Sequence, residues 1–376
     1  MRKVCYFSGT RADFGLMQAT LKAIDAHPAL ALSIVVTGMH LAPRYGNTVD
    51  DIVRSGLPIT ARCAVEMEPA TGATMARNIG HMLVAFVTAL EQIEPDLVLL
   101  LGDRGEMLAA ALAAIHLNIP VAHVHGGERS GTVDEPVRHA ISKLSHFHLA
   151  ATADAAQRLV RMGEDPAQVH VTGAPGLDGL TELALNSRAA LCAAAGLQPE
   201  QPLALMVFHP VLQEATEARA QTSNIVAALR ESGIQIVALM PNADAGSAEV
   251  RAVLAGHVGI EGIHVASHFP RTHFVSWMAC ADLMIGNSSA GIIEAASFGL
   301  PVINIGNRQG LRERNANVRD CRAEPALLRA AIGEALQLPR SVAKNVYGDG
   351  RSAGRIAELL ATLPLEPAIL MKSNAY

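Results

Sequence analysis

HVHGGERSGTVDEPVRHAISKLSH, residues 123–146, begins as a strand and ends as a helix. The apolar run Pro120–His125 predicts a buried strand, Gly126–Gly127 a loop, and the segment after Asp134 a helix with acids in its first turn. Strand, loop and helix in that order make a βα unit. The unit carries His125, Glu128, Asp134, Glu135, Arg138 and His139 within fifteen positions. In an open α/β sheet, ligands bind outside the carboxyl ends of the strands. This segment is therefore the first candidate for a catalytic wall. Neighbouring carboxylates raise one another's pKa, which suits proton transfer.

The same unit recurs on both sides. Lys3–Phe7, Leu30–Val36, Asp96–Leu101, His148–Ala151 and Val169–Thr172 read as strands, with helices predicted over Leu16–Asp25 and Glu106–Leu117. The pattern restarts with Leu203–Phe208, Ile234–Met240, Leu283–Ile285 and Val302–Ile305. Repeated βα units imply parallel sheets with helices on both faces. The expected architecture is α/β, two Rossmann-like domains whose parallel sheets face an interdomain cleft. Residues 1–175 would form the first domain and 176–351 the second. A helix near Ser352–Thr362 opens the segment 352–376, which should pack back on the first domain.

The 376 residues are half hydrophobic but only 3% aromatic, so the cores must be built from Ala, Leu, Val and Ile. The net charge of −5 is spread along the chain, and no basic track for nucleic acid is visible. The five cysteines, Cys5, Cys63, Cys192, Cys280 and Cys321, form no CxxC pair, which suggests a reduced, cytoplasmic protein with buried thiols. The N-terminal apolar run is too short for a signal peptide, and none elsewhere is long enough to span a bilayer.

Further motifs fall at predicted strand ends. GTRADFG, Gly9–Gly15, reads as a loop whose amides would bind phosphate with help from Arg11. It lacks GxGxxG, so NAD is not expected. In GDRGE, Asp103 is either a helix N-cap or a group that faces the cleft beside Arg104. FHP places His209 at the end of the first strand of the second run. MPNADAGS offers Asn242 as a ligand contact or forms a plain turn. GNSSAGIIE brings Ser288 and Ser289 to a helix start, with Gly291 for a close phosphate approach and Glu294 one turn on, suited to ribose hydroxyls. His123 and His125 are expected to point to opposite faces, which argues against one shared metal ion. His116, His146 and His148 read as structural or surface residues.

Taken together, these motifs resemble the hydrolysing UDP-N-acetylglucosamine 2-epimerases of sialic acid biosynthesis, including the epimerase half of the animal bifunctional enzyme. The resemblance covers nearly the whole chain and keeps the order GTRADFG, VVTGMHL, LGDR, the 123–146 segment, FHP, PNADAGS, GNSSAGIIE, GNRQ, YGDG. It implies the GT-B type of fold. It also implies that Ser288, Ser289 and Glu294 hold phosphate and ribose, with Arg308, Asn242, His209, Arg11, Gly15 and Arg104 lining the nucleotide site and Phe269 beside uracil. Asp103, Glu128, Asp134 and Glu135 would stand at the reacting sugar. Several family members carry Glu where this chain has His125, which leaves the general base open among these acids and His125, with His209 on the phosphate side. The implied reaction converts UDP-GlcNAc and water into N-acetylmannosamine and UDP, by anti elimination to a glycal and hydration with inversion at C2. No metal or other cofactor is expected, and the assembly should be a homodimer or homotetramer. A relative that acts on a UDP-diacetamido-trideoxy sugar in the legionaminic acid pathway shares these motifs. A GT-B glycosyltransferase and a non-catalytic nucleotide-sugar-binding regulator are the rivals from other classes.

Overall fold

The computed structural model describes residues 1–342 and 344–375. The first half contains β1 (Arg2–Ser8), β2 (Leu30–Thr37), β3 (Ile59–Cys63), β4 (Leu97–Leu101), β5 (Val121–Val124), β6 (Phe147–Ala150) and β7 (Val169–Val171). The second contains β8 (Leu203–Val207), β9 (Gln235–Leu239), β10 (Ile263–Ala266), β11 (Leu283–Gly286), β12 (Val302–Ile305) and β13 (Val318–Cys321). They form a seven-stranded sheet in the order β3-β2-β1-β4-β5-β6-β7 and a six-stranded sheet in the order β10-β9-β8-β11-β12-β13. All neighbours are parallel. This is the expected α/β architecture of two parallel sheets.

Each strand order reverses once, between β1 and β4 and between β8 and β11. At such a switch point the following loops leave in opposite directions and open a crevice. The central strands are fully buried apolar runs, LVLLL in β4 and LALMV in β8, as sheets covered on both faces require. Alternate residues serve alternate faces. Tyr6 and Leu99 pack with Met17 and Leu21 of the helix Arg11–Asp25. Phe7 and Leu100 pack against Phe86 and the alanines of the helix Gly105–His116. Small alanines replace bulky aromatics there, so the helix lies close to the sheet.

The predicted strands all form, within one or two residues of their expected bounds. The sequence reading did not place β3, β10, β13 or the long helix Gly72–Ile93. β3 and β13 are half-exposed edge strands with charged residues, which leaves no apolar run to detect. The GTRADFG loop needs correction: the helix already begins at Arg11, and Thr10 with Asp13 forms a capping box. The cysteines need correction too. Cys5 and Cys192 are buried, whereas Cys63, Cys280 and Cys321 are only partly so. No helix among the described residues is long and apolar enough to cross a membrane.

The helix Ser352–Thr362 returns to the first sheet, where Ile356 and Leu360 are fully buried with Val4, Leu97 and Met17. Its first turn is fixed by Asp178, whose carboxylate accepts from the Ser352 and Ala353 amides at 2.9 and 2.6 Å. Leu360→Ala should lower the unfolding free energy by about 2–5 kcal/mol, the usual cost of emptying a fully buried leucine site. Urea unfolding measures this; a change below 0.5 kcal/mol would mean that the helix adds nothing to the first core.

Candidate active site

The two switch points face each other across one cavity. Its walls include Thr10, Asp103, Arg104 and His125 from the first half, and His209, Asn242, Ser288 and Arg308 from the second.

The first wall is organised around Arg138. This side chain is 1% exposed. It donates to Glu128 O at 3.0 Å and to Ser130 Oγ at 3.4 Å, and it pairs with the Asp103 carboxylate. A buried guanidinium is tolerated only with such partners, so the loop after β5 is folded around it. Gly127 turns that loop with φ +76, and a Cβ there would lie 2.3 Å from Ala155 O. His125 is also left-handed, at φ 64, which a non-glycine residue adopts only when its surroundings hold it there. His125 has thus left the strand: residues two apart on a strand share a face, and it is this left-handed turn, not alternation, that separates His125 from His123. His123 lies behind the wall, with Nε2 donating to Gly102 O at 2.7 Å and Nδ1 3.1 Å from Ser142 Oγ. His146 and His148 are structural as expected: His146 Nδ1 accepts from Val121 N at 3.0 Å, and His148 meets Glu164 at 2.8 Å.

Asp103 does not cap the helix that follows. Arg104 occupies the N-cap position without a side-chain cap. Asp103 instead faces Arg138 and Arg312. Burial works to raise its pKa, yet Arg138, Arg312 and Arg308 pull it down to about 2. Asp134 behaves oppositely: burial and the Asp103 charge push its carboxyl up. Two carboxyls on one wall are thereby driven apart, Asp103 downward and Asp134 upward.

The second wall hangs on Asn287, whose side chain accepts from His209 N and donates to His209 O, both at 2.8 Å. The Asn242 backbone N–H donates to His209 Nδ1 at 3.3 Å. That bond makes Nδ1 the acceptor, so Nε2 carries the proton and His209 is a neutral donor. Burial and then Arg308 push its pKa down to about 3. Ser288 caps the short helix Ser289–Ile293 through its Oγ, which accepts from Ala290 N at 3.3 Å. Arg308 donates to Asn287 O at 3.1 Å and reaches across to Asp134 at 3.7 Å.

Of the residues singled out from the sequence, Arg11, Gly15, Asp103, Arg104, His125, Asp134, His209, Asn242, Phe269, Ser288, Ser289, Glu294 and Arg308 border the cavity. Three do not. Glu128 sits behind His125. Glu135 turns away to accept from Ser130 N at 2.8 Å. Gly291 packs on the sheet, where a Cβ would lie 2.9 Å from Val302 Cγ1; its smallness serves helix–strand contact rather than phosphate approach. The Gly9 and Thr10 amides are likewise engaged, donating to Asp13 Oδ2 at 3.1 and 2.6 Å, while Arg11 borders the cavity. The Asn242 amide group is used within its own turn, donating to Asp244 at 2.5 Å. Glu294 is paired with Arg271. Arg271 and Arg312 carry no motif of their own, and only their positions on the cavity reveal them.

Eight arginines border the cavity (Arg11, Arg44, Arg104, Arg138, Arg251, Arg271, Arg308, Arg312) against four acids (Asp13, Asp103, Asp134, Glu294). In a chain of net charge −5, that concentration of cations fits a diphosphate. Among the described residues, no group of three His, Cys, Asp or Glu side chains is placed to hold a metal ion.

Two parallel-sheet halves with a cationic cleft between their switch points define a protein of the GT-B type. This chain belongs to the UDP-N-acetylglucosamine 2-epimerase family, whose model matches residues 22–361. It is 46% identical over 376 residues, all of both chains, to the UDP-N,N'-diacetylbacillosamine 2-epimerase (hydrolyzing) of Legionella pneumophila. It is 35% identical over 363 residues to the UDP-N-acetylglucosamine 2-epimerase of Neisseria meningitidis, covering 96% of this chain and 95% of that one. The fold matches the crystal structure of a UDP-GlcNAc 2-epimerase from Neisseria meningitidis bound to UDP-GlcNAc, with TM-score 0.80 at 19% identity over 96% of this chain and 99% of that one.

His123, His125 and His209 are each pushed down to about 3, by burial first. Unfolded, each would bind a proton below about pH 6.5; folded, each resists until about pH 3. Their contribution is complete above pH 6.5 and is lost as pH falls below it. Replacing His123 by Gln should therefore shrink the stability lost between pH 7.5 and pH 5 by about 2 kcal/mol. Parallel urea titrations of both proteins at the two pH values give the difference, and identical losses would show that His123 is not held neutral.

Proposed function

We propose that this chain is a hydrolysing 2-epimerase whose substrate is UDP-N,N'-diacetylbacillosamine. The observation that carries this reading is the 46% identity running the full length of both chains to an enzyme of that description, against 35% to a UDP-N-acetylglucosamine 2-epimerase. The expected UDP-GlcNAc substrate and sialic acid role thus give way to the diacetamido sugar.

The geometry supports the chemistry. The second wall would take the nucleotide, with Ser288 and Ser289 near phosphate and neutral His209 donating to a phosphate oxygen. Arg11 and Arg308 would balance the charge that grows on the leaving diphosphate. At the sugar, a base takes the C2 proton and the C2–H electron pair becomes the C1=C2 bond. The C1–O bond breaks and its electrons leave with UDP. Water then adds its oxygen at C1, while an acid delivers a proton to the opposite face of C2. Asp134, whose carboxyl is raised, suits that acid. Asp103, paired with Arg138 and Arg312, acts as the fixed anion that aligns them.

Incubation with each UDP-sugar, without any acceptor, tests the reading. The diacetamido substrate should give UDP and free 2-epimer faster than UDP-GlcNAc does. In heavy water, the product should carry deuterium at C2. A requirement for an acceptor would point to a glycosyltransferase, and full retention of the C2 proton would rule out elimination.

Asp103→Asn keeps the shape and removes the charge. Turnover should fall about 10²–10³-fold, as when one preorganised electrostatic group is lost. UDP affinity, read by calorimetry, should hold. A variant of near-normal rate would leave Asp103 with a structural role only.

A further inference from the structure

The loop after β5 and the loop after β12 meet at Glu128. One carboxylate oxygen contacts His125 Nδ1 and the other pairs with Arg312. The two loops are closely seated, since a Cβ on Gly131 would lie 2.2 Å from Asn307 O. Glu128 is 2% exposed and does not reach the cavity. His125 does reach it, and its Nε2 makes no hydrogen bond with the described residues.

These contacts fix a tautomer. A carboxylate paired with a guanidinium is ionised and can only accept, so the hydrogen between Glu128 and His125 sits on Nδ1. A neutral imidazole has one N–H, which leaves the Nε2 lone pair free. Burial, then Arg312 and Arg138, keep the ring neutral by pushing its pKa down to about 3. The left-handed backbone at His125 is a local cost that an observed function would explain.

Resting on the epimerase reading above, we propose that His125 is the base that removes the C2 proton, that Glu128 is the positioning residue that holds its tautomer, and that Arg312, from the opposite half, holds Glu128. Nε2 takes the proton, the C2–H electrons form the C1=C2 bond, and the C1–O electrons leave on the diphosphate. Glu128 stabilises the resulting imidazolium, which returns its proton to water. The base is aligned only while the two halves are together, because Arg312 follows β12 and His125 follows β5. Glu128, counted from the sequence among groups at the sugar, thus acts through His125.

The test is a nitrogen-15 spectrum of the histidine rings in the UDP-bound protein. His125→Gln assigns the signal among the fifteen histidines. His125 should show a protonated Nδ1 and a bare Nε2 at pH 7.5. In Glu128→Gln, Arg312 claims the remaining oxygen and the amide NH₂ faces His125, so the other tautomer should appear. Turnover should then fall at least about 10²-fold, as when a catalytic histidine loses its orienting carboxylate, with UDP affinity within about twofold. Arg312→Gln removes a cation from a ring that also faces Arg138, Asp103, Glu128 and Glu294, so the acid limb of the rate should move to higher pH. Arg312→Lys should move it less. A protonated Nε2 in the parent protein overturns the proposal. So does a Glu128→Gln variant with unchanged tautomer and rate. The tautomer is read without turnover, so a protein with the expected spectrum that converts no UDP-acetamido sugar would refute the epimerase reading and leave the dyad standing.

Discussion

Arg138 is a guanidinium taken almost wholly out of water. Such a group is costly to bury without acceptors. Asp103, the Glu128 carbonyl and Ser130 supply them to its two terminal nitrogens. Meeting that demand ties the end of β4 to the loop after β5 and to the helix Asp134–Leu144. The tie aligns Asp103, His125 and Asp134 on one wall. It also sets their protonation, because the Arg138 charge helps to hold Asp103 ionised and His125 neutral.

The second half completes the charge pattern from across the cleft. Arg312 reaches Glu128 and Asp103, Arg308 reaches Asp134, and Asp244 faces Arg104 at 3.8 Å. Each pair joins a residue after a strand of one sheet to a residue after a strand of the other. These ion pairs span the cleft and tie the loops of one half to those of the other.

Much was legible from the chain. The βα rhythm reports itself because parallel strands buried on both faces must be continuous apolar runs, as in LVLLL and LALMV. The motifs at the strand ends report the site because ligands collect at switch points. Thirteen of the sixteen site residues singled out from those motifs border one cavity. The edge strands β3 and β13 were not legible, since these half-exposed strands carry charged residues and no apolar run.

What the sequence determined by itself was the architecture and the inventory of chemical groups, both of which follow from local hydrophobic period and from residues adjacent in the chain. The tertiary structure decided what each group does. Asp13 lies in the expected phosphate loop and completes a capping box with Thr10, while Asp103, open between a cap and a cleft-facing group, is an ion-pair partner at the cleft. Glu128 resembled a sugar-facing acid and lies behind His125. These assignments depend on Arg138, thirty-five positions from Asp103, and on Arg312, which lies beyond the second sheet's β12. Electrostatic partners act through space, and no spacing along the chain encodes a contact made between loops of two different sheets.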